Sequence, residues 1–570
     1  MPTTKILSAL IPPWWSRYQQ RFIGNDIVAG LIVALMLIPQ GLAYATLAGL
    51  PPQYGLYASL LPVVLYAVFG SSSVMSVGPV AITSLLTASA LAPLALTAND
   101  YVLAAALLAF MSGVFLFLAG VLRLGALAQL LSHPVITGFI TGAAILIIIS
   151  QLKPVFGVSV HGENTVALVL ALIAALPTAN WLAAALGIIG VGALLLSRKY
   201  TVSLLIKIGV ASNIARTIQR LVPMLLLLLG AALVFVFDWQ TKLAVVGALP
   251  DGMPTFAMPT FNSSWFEHLW VPAIVIGLLG FVESISIAQS FAQKKREPLD
   301  ANAELRALGA ANIGSAWAGG FPVTGGFSRT LVNAEAGAHS PLAGVFSAGF
   351  VLLALWFATA LFSFLPITLL AATIISAAVQ LVNISAFRHA WRYDRSEGGA
   401  MLGTAGGVLL MGVEVGIGIG VALTLITLVW RASRPHIAVV GLIPGTEHFR
   451  NVTRHRVETN DKVLMLRVDE NLFFGNAESV ASEIITAHTQ HTHCHDVVIL
   501  MSSVSRIDVT ALEMLHRLND DFRLRDIRLH LAEVKGPVED QLKENDFGTE
   551  LTGEIFLTAY QAFQKLSGNS

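Results

Sequence analysis

The sequence is poor in charged residues, and this scarcity excludes several classes of protein. Only 12% of its 570 residues are Asp, Glu, Lys or Arg, the 34 basic and 34 acidic side chains cancel, and 55% of the residues are hydrophobic. Without a concentrated basic face, a nucleic-acid-binding protein is not expected. The single cysteine, Cys494, excludes a disulfide framework and a cysteine-rich metal or iron–sulfur site. A mean hydropathy of +0.73 is far too apolar for a soluble chain of this length.

The charge that is present is concentrated near the end of the chain. Nearly half of the charged residues follow Pro435, so a long apolar block precedes an ordinary soluble domain. We therefore predict a membrane domain over residues 27–433 and a soluble domain over residues 436–566. Residues 1–26 are polar and aromatic and lack the apolar core and cleavage site of a signal peptide, which predicts a cytoplasmic N-terminal lead-in.

Fourteen apolar runs are long enough, or nearly so, to cross a hydrocarbon core that needs about 20 helical residues. Lys and Arg concentrate after runs four, six, eight and twelve, and only Lys153 and Lys242 lie on the opposite side. Because cytoplasmic loops hold the excess of positive charge, this pattern predicts an even number of spans with the N-terminus inside. The runs are 27–47, 53–70, 79–95, 101–121, 127–150, 180–197, 218–237, 268–291, 301–318, 326–337, 341–364, 368–384, 398–413 and 415–432.

The runs divide into two sets of seven, and the third run of each set is abnormal. Run three starts in the Ser- and Gly-rich stretch 71–79, and run ten starts in the Gly-rich stretch 319–326 and is short. Short, Gly/Pro-interrupted segments in matching positions indicate a transporter binding site built from inverted repeats. Two half-helices that start near the midplane would direct free N–H groups and positive dipole ends to one point, which should attract an anion. The alternative is that these glycines only allow close helix packing.

Ionisable side chains inside the predicted spans are candidates for function, because each costs at least a few kcal/mol at bilayer depth. Arg329, near the start of run ten, could bind an oxyanion through two hydrogen bonds or form an ion pair with a glutamate. Glu283, in the middle of run eight, is a candidate proton carrier, the alternative being a fixed counter-charge for Arg329. Glu335 and Glu414 lie near span ends and can reach water.

Run one contains a proline, Pro39, followed by two polar side chains. Gln40 and Tyr44 lie one turn apart, so they place an amide and a hydroxyl on one helix face. The proline also frees a backbone carbonyl within the helix. The two polar side chains either line a pocket or bridge neighbouring helices.

Four motifs lie in or beside runs one, two, three and ten, namely residues 38–44 (IPQGLAY), 49–57 (GLPPQYGLY), 76–81 (SVGPVA) and 321–330 (FPVTGGFSRT). Together they resemble the sulfate permease (SulP) family of anion transporters, which includes prestin and pendrin, and the resemblance covers nearly the whole chain. It implies a 7+7 inverted-repeat fold like that of uracil permease, in which a core domain moves against a gate domain. It also implies an anion held between half-helices three and ten, with pocket contacts at Gln40, Tyr44, Val80, Ala81, Phe327, Ser328 and Arg329.

The resemblance also bears on the coupling ion and the assembly. In proton-coupled relatives the acid of run eight, Glu283 here, is similar to the coupling residue. Sodium-coupled bicarbonate members use an acid on the same segment, so both cations stay open. The relatives further suggest a homodimer embedded in membrane lipid.

The soluble tail has its own pattern. Residues 463–468 and 497–501 are predicted to be buried strands, and Asp508 is predicted to start a helix. Residues 471–477 (NLFFGNA) and 507–512 (IDVTAL) resemble a STAS domain, in whose anti-sigma relatives a Ser or Thr is phosphorylated. Thr510 matches that position, but Ala511 replaces the usual glycine. Asp508 and Thr510 are therefore candidate regulatory residues, the alternative being helix-start caps. The cluster His488, His491, His493, Cys494 and His495 matches no standard zinc spacing and is interpreted as a polar loop.

These observations predict an inner-membrane secondary anion transporter that imports sulfate together with protons and needs no cofactor. A dianion entering against an inside-negative potential costs about 4.6 kcal/mol per 100 mV, so coupling to entering cations is needed for accumulation. The alternatives are a bicarbonate or dicarboxylate carrier and a channel-like anion conductor. An ATP-driven pump or a membrane enzyme is disfavoured, because the sequence contains neither a phosphate-binding loop nor a nucleophile elbow.

Overall fold

A computed structural model describes residues 14–15, 18–126, 132–160, 162, 165–248, 253–254 and 256–568. These residues form two compact units that divide between Thr424 and Leu425. Helices make up the first unit, and a mixed sheet with helices makes up the second. Most of the predicted N-terminal lead-in and the first five residues of run five lie outside the described residues.

The helices of the first unit reflect its long apolar runs, and a pair of two-residue strands lies among them. The strands are β1 (Val77–Gly78) and β2 (Thr324–Gly325). The helices are α1 (Ile23–Leu47), α2 (Gln53–Tyr57), α3 (Leu61–Phe69), α4 (Ala81–Leu91), α5 (Ala98–Val121), α6 (His133–Phe156), α7 (Thr165–Ala175), α8 (Trp181–Lys207), α9 (Ser212–Val236), α10 (Ser263–Lys295), α11 (Ala301–Trp317), α12 (Phe327–Glu335), α13 (Leu342–Phe357), α14 (Thr359–Phe362), α15 (Ile367–Ala378), α16 (Ile384–Tyr393), α17 (Arg395–Met411) and α18 (Val413–Ala432).

Every one of the fourteen predicted runs contains at least one of these helices. Within the described residues, eight helical stretches are long and apolar enough to cross a membrane, and shorter apolar helices supplement them. Runs three and ten form only the half-length helices α4 and α12, as their sequences predicted. Run two is broken into α2 and α3, and run eleven into α13 and α14.

The prediction was wrong for run twelve, and it missed the two helices α7 and α16. Run twelve was expected to reach residue 384, but α15 ends at Ala378, and the separate helix α16 follows. The side chain of Asn383 accepts a hydrogen bond from the backbone N–H of Ala386, so it caps a new helix there. The short helix α7 lies between runs five and six and, with 11 residues, is too short to span a bilayer.

Helix packing follows the two-fold relation of the 7+7 repeat. Helix α1 packs against α13, and its counterpart α10 packs against α5. Likewise α6 packs against α17, and the counterpart of that pair is α15 against α8. The core domain comprises the first two of these pairs together with α3 and α11. The gate domain comprises the other two pairs, α6 with α17 and α15 with α8. Two glycines allow one close crossing in the core, because a Cβ on Gly55 would collide with the carbonyl oxygen of Gly41.

The second unit is built on a six-stranded sheet. Its strand order is β4-β3-β5-β6-β7-β8, with β3 antiparallel to both neighbours and β5 to β8 parallel. The two predicted buried strands are confirmed as β5 and β6. The elements are β3 (Ile437–Leu442), β4 (Phe449–Asn451), β5 (Val463–Val468), α19 (Ala477–Thr489), β6 (Asp496–Leu500), α20 (Val509–Leu524), β7 (Arg528–Ala532), α21 (Gly536–Glu544), α22 (Phe547–Glu550), β8 (Ile555–Phe556) and α23 (Ala559–Ser567).

A buried carboxylate ties β6 to β7 in this unit. Asp496, 4% exposed, contacts Arg528 Nε at 2.7 Å and His530 Nε2 at 3.0 Å. Burial alone would raise the pKa of Asp496, but the hydrogen bonds from His530 and Arg528 outweigh it and hold that pKa below its usual value of 3.8. The stabilisation from the ionised carboxylate is therefore complete above pH 3.8 and is lost as the pH falls through the lowered value.

Asp496→Asn should weaken the β6–β7 pairing, because the amide removes the charge that both partners contact. We expect a loss of about 2 kcal/mol, seen as roughly 30-fold faster hydrogen exchange of the β6 amides in the full-length protein at neutral pH. The exposed Glu483 provides the control, since Glu483→Gln should leave these amides unchanged. Equal exchange in the two variants would contradict a stabilising role for Asp496.

Candidate functional site

The two half-helices α4 and α12 begin from one short pair of strands. Strands β1 and β2 are antiparallel, with Val77 opposite Gly325 and Gly78 opposite Thr324. The N–H of Gly326 also donates to the carbonyl oxygen of Ser76 (3.0 Å). Because each strand leads within three residues into its half-helix, this pairing brings the two helix N-termini together.

Side chains from neighbouring helices satisfy the non-helical backbone around this crossing. Ser284 Oγ accepts a hydrogen bond from the N–H of Gly325 (2.9 Å), and Thr324 Oγ1 donates to the carbonyl oxygen of Gly280 (2.7 Å). The amide of Asn312 bonds both the N–H and the carbonyl oxygen of Val323, each at 2.9 Å. Such partners explain how irregular backbone is tolerated within an apolar unit.

The first turns of both half-helices keep free backbone donors. Val80 and Gly326 precede the helices in extended conformation, and neither N-terminus has a side-chain cap. The first intrahelical bonds come from the N–H groups of Ser84 and Thr330. The N–H groups of the preceding turn therefore point beyond each helix, where the helix dipoles add a positive potential.

Arg329 lies at this junction and is only partly satisfied. It is 1% exposed, and its Nη1 donates to the carbonyl oxygen of Pro79 (2.7 Å) and to Gln40 Oε1 (3.2 Å). Its Nε and Nη2 are buried without a hydrogen-bond partner in the described residues. Glycine makes room for the guanidinium, because a Cβ on Gly326 would lie 2.9 Å from Arg329 Cζ. A buried cation with two unpaired donors is suited to bind an oxyanion.

Gln40 and Tyr44 line a cavity between α1 and the gate helices. The cavity has a volume of about 40 Å³, and its wall includes Arg198 of α8, Arg220 of α9 and Ser376 of α15. The sequence left open whether Gln40 lines a pocket or bridges helices. It does both, since it lines this cavity and also accepts a hydrogen bond from Arg329 of α12. Tyr44 is 6% exposed, and its side chain lines this cavity beside Gln40.

Glu283 lies in the middle of α10, next to the Ser284 that supports β2. It is half-buried and has an electrostatic interaction with Arg329, but the two form no direct ion pair in the described part of the chain. The structure thus brings together the acid and the base that the sequence selected. Among the described residues the two are not paired as a salt bridge, and the role of Glu283 as a proton carrier stays a prediction.

The remaining predicted contact residues surround the half-helix starts. Val80 and Ala81 are buried at the start of α4, and the carbonyl oxygen of Val80 accepts from the Ser84 hydroxyl (2.8 Å). Phe327 is 55% exposed, and its ring approaches that of Phe291 with centroids 6.5 Å apart. Ser328 is exposed in the first turn of α12. Their contact with an anion stays a prediction.

Sequence reasoning missed a structural carboxylate of the core. Glu304 is fully buried in α11, inside run nine, and accepts hydrogen bonds from Tyr66 Oη (2.8 Å) and from the N–H groups of Ser71 (2.9 Å) and Ser72 (3.0 Å). It anchors the stretch that leads to β1. Its position within an apolar run was the available signal, by the same reasoning that selected Glu283.

The two acids near span ends differ in their surroundings. Glu335, at the end of α12, forms an ion pair with Arg220 of α9, which links the core to the gate. Glu414 is exposed in the first turn of α18. Both side chains are exposed, in line with the expectation that they can reach water.

In the second unit, Asp508 acts as a helix cap. Its Oδ1 accepts from the N–H of Ala511 (2.9 Å), and its Oδ2 accepts from the N–H of Phe474 (2.8 Å). Thr510 is exposed in the first turn of α20, and its phosphorylation stays a prediction.

In the histidine-rich segment, His488 Nε2 contacts the carbonyl oxygen of Cys494 (2.9 Å). Throughout the residues that the structure describes, no three metal-ligating side chains converge.

Comparison with known proteins agrees with this architecture. The sulfate permease family profile matches residues 23–404, and the STAS domain profile matches residues 454–562. A probable sulfate transporter of Mycobacterium tuberculosis (strain CDC 1551 / Oshkosh) is 34% identical over 558 residues, covering 96% of each chain. These matches, with the paired half-helices, define a multi-pass membrane transporter of anions, and not an enzyme. The chain belongs to the sulfate permease family and carries a C-terminal STAS domain.

Two solved structures have a similar fold. The structure of the murine Solute Carrier 26 family member A9 anion transporter in the inward-facing state aligns with a TM-score of 0.88 at 21% identity, covering 99% of this chain and 95% of that one. The transmembrane domain of a cyanobacterium bicarbonate transporter, BicA, aligns with a TM-score of 0.60 at 20% identity, covering 72% of this chain and 98% of that one. These two alignments confirm the predicted helical membrane fold.

Proposed function

We propose that the protein is a secondary active transporter that imports sulfate together with protons across the bacterial inner membrane. The observation that carries this proposal is the buried Arg329, which lies beside two uncapped half-helix N-termini and whose Nε and Nη2 have no partner within the described part of the chain. A tetrahedral oxyanion offers acceptors for both the guanidinium and the free backbone N–H groups. The site therefore suits a small oxyanion better than a neutral solute.

Sulfate is the favoured anion because the full-length relative in Mycobacterium tuberculosis carries the name of a probable sulfate transporter. The charge of the site is consistent with a dianion. Arg329 supplies a full positive charge, and two helix N-termini supply about half a charge each. If Glu283 is protonated when the anion binds, this positive potential is not offset by its carboxylate.

The position of Glu283 supports proton coupling. The carboxylate lies within electrostatic range of Arg329 but is not locked to it. Anion binding at Arg329 would favour protonation of Glu283, because a bound dianion repels the carboxylate. Release of the anion on the other side would reverse that preference and release the proton. Binding of the two ions is then mutually reinforcing, as symport requires.

The proposed orientation places the N-terminus and the STAS domain in the cytoplasm. It is supported by the excess of Lys and Arg in the loops after runs four, six, eight and twelve. Inward movement of sulfate against an inside-negative potential costs about 4.6 kcal/mol per 100 mV, so entering protons would supply the driving force.

A bicarbonate carrier is the second candidate. It is supported by the fold similarity to the transmembrane domain of BicA, a bicarbonate transporter. Bicarbonate is also a small oxyanion, so the Arg329 site by itself does not discriminate strongly between the two. The 34% identity to a probable sulfate transporter over nearly the whole chain favours sulfate.

Uptake of labelled sulfate into proteoliposomes tests the proposed function. We expect accumulation under an inward proton gradient, little accumulation under an inward sodium gradient, and inhibition by excess unlabelled sulfate. Bicarbonate, succinate and chloride serve as competitors. Accumulation of bicarbonate but not sulfate would replace the proposed substrate, sodium-driven uptake would replace the proposed coupling ion, and large uncoupled currents would indicate a channel.

A further inference from the structure

The cavity between α1 and the gate contains a second group of anion-binding side chains, separate from the half-helix junction. Its gate wall carries Arg198, Arg220 and Ser376, and its core wall carries Gln40 and Tyr44. The three gate residues come from α8, α9 and α15, which converge here because α15 packs against α8 and α8 packs against α9. The predicted orientation places this end of the three helices on the cytoplasmic side.

Arg198 supplies a positive charge, and no carboxylate of the described residues forms an ion pair with it. Its Nη1 donates to the carbonyl oxygen of Ser376 (2.6 Å), and this is its one side-chain hydrogen bond to protein in the described residues. A guanidinium has five N–H donors, so most of its donors remain available. Arg220, on the same wall, shares its charge with Glu335 of the core.

The hydroxyl of Ser376 is the second, independent indication of a ligand. Ser376 is 2% exposed and lines the cavity, yet its Oγ has no hydrogen-bond partner among the described residues. Other serines in the membrane helices avoid this situation by donating to a carbonyl one turn back, as Ser286 does to Val282 (2.7 Å) and Ser290 does to Ser286 (2.9 Å). A buried, unpaired hydroxyl beside an arginine is a donor without an acceptor, and a bound oxyanion would supply that acceptor.

We propose that Arg198, the Ser376 hydroxyl and Arg220 form a second oxyanion site, which the anion occupies between the Arg329 site and the cytoplasm. Arg198 and Ser376 provide the hydrogen bonds, and Arg220 adds positive potential. Gln40 connects the two sites, because it lines this cavity and also accepts a hydrogen bond from Arg329. This proposal rests on the proposed function only in requiring that a small oxyanion crosses the membrane here.

A site on the gate would make anion exchange asymmetric. An anion arriving from the cytoplasm meets this site before it reaches Arg329, whereas an anion arriving from outside meets the half-helix site first. Loss of the gate site should therefore weaken apparent binding from the cytoplasmic side only. General damage to the fold or to the Arg329 site would affect both sides.

The test is exchange of labelled sulfate by the full-length protein, without a proton gradient, in right-side-out and inside-out membrane vesicles. The vesicles are loaded with saturating unlabelled sulfate, and the labelled sulfate outside is varied, so that each orientation reports the half-saturating concentration at one face. In Arg198→Gln we expect the half-saturating sulfate concentration at the cytoplasmic face to rise about tenfold, because the variant loses the binding free energy of one charge-assisted hydrogen bond. In Ser376→Ala we expect a rise of about threefold, for the loss of one hydroxyl donor. The value at the outer face should not change, and Arg198→Lys should restore part of the cytoplasmic affinity.

Ser347→Ala is the matched control. Ser347, on α13, is 1% exposed, and its hydroxyl also has no partner in the part of the chain that the structure describes, but it does not line the cavity. This variant should leave both faces unchanged. An equal rise at both faces in Arg198→Gln and Ser376→Ala, or no rise at either face, would overturn the second site.

Failure of the proposed substrate is distinguishable from failure of this site. If the unmodified protein exchanges bicarbonate but not sulfate, sulfate import is wrong, and the same variants are compared with labelled bicarbonate. A rise confined to the cytoplasmic face would still support the gate site. Should Arg198→Gln fail to fold, Ser376→Ala decides the question, because it keeps the backbone carbonyl that Arg198 contacts.

Discussion

Glu283→Gln should abolish proton-driven accumulation of sulfate while preserving sulfate exchange. The amide has nearly the shape of the carboxylic acid but cannot release a proton, so the site should remain permanently in its neutral, anion-binding form. In the unmodified protein, without a membrane potential, a difference of one pH unit across the membrane should support about tenfold accumulation of sulfate for each coupled proton. The variant should show no dependence of accumulation on the pH gradient.

Measurement of accumulation and exchange in the same proteoliposomes separates coupling from folding. Retained exchange shows that the variant binds and translocates the anion. Glu414→Gln is the control, because Glu414 is also a membrane-unit carboxylate but is exposed and far in sequence from the half-helices. If Glu283→Gln still accumulates sulfate in response to protons, Glu283 is structural and the coupling group lies elsewhere.

Arg329→Ala should remove sulfate binding from either side of the membrane. The substitution deletes the two unpaired donors, Nε and Nη2, together with the charge. Loss of two hydrogen bonds to an anion should reduce the affinity by at least about 100-fold. Arg329→Lys should recover only part of it, because an ammonium lacks the planar pair of donors. The half-saturating concentration for exchange measures both effects.

A variant that retains the arginine tests whether its position matters. In Gly326→Ala, the new Cβ would lie 2.9 Å from Arg329 Cζ, so the guanidinium must move. We expect roughly tenfold weaker sulfate binding, comparable to one misplaced charge-assisted hydrogen bond. Gly349→Ala is the matched control, since a Cβ there meets nothing within 4 Å. If the sulfate affinity of Gly326→Ala is unchanged, the guanidinium of Arg329 does not contact the bound anion.

Much of the membrane unit was predictable because hydropathy is a local property. Each of the fourteen apolar runs contains a helix, and the short helices α4 and α12 begin where Gly and Pro interrupt the runs. The choice of Glu283 and Arg329 also needed no structure, since a charge inside an apolar run requires a partner or a cavity. Run twelve was misjudged because its apolar character continues past Ala378, whereas Asn383 starts a new helix.

The partners of these charges were decided by the tertiary structure. Arg329 bonds Gln40 across 289 residues of sequence, and Glu304 holds the backbone of Ser71 across 233. No local pattern encodes such a distance, because it depends on how the two repeats fold onto each other.

The sequence by itself therefore determined the family, the membrane-spanning runs and the two residues expected to bind anion and proton. Only the tertiary structure decided that, among the described residues, Arg329 has two donors without a partner and forms no ion pair with Glu283. It also decided that Arg198 and Ser376 share a cavity. The physical reason is that hydropathy and helix signals act over one or two turns, whereas a binding site is formed by packing between distant helices.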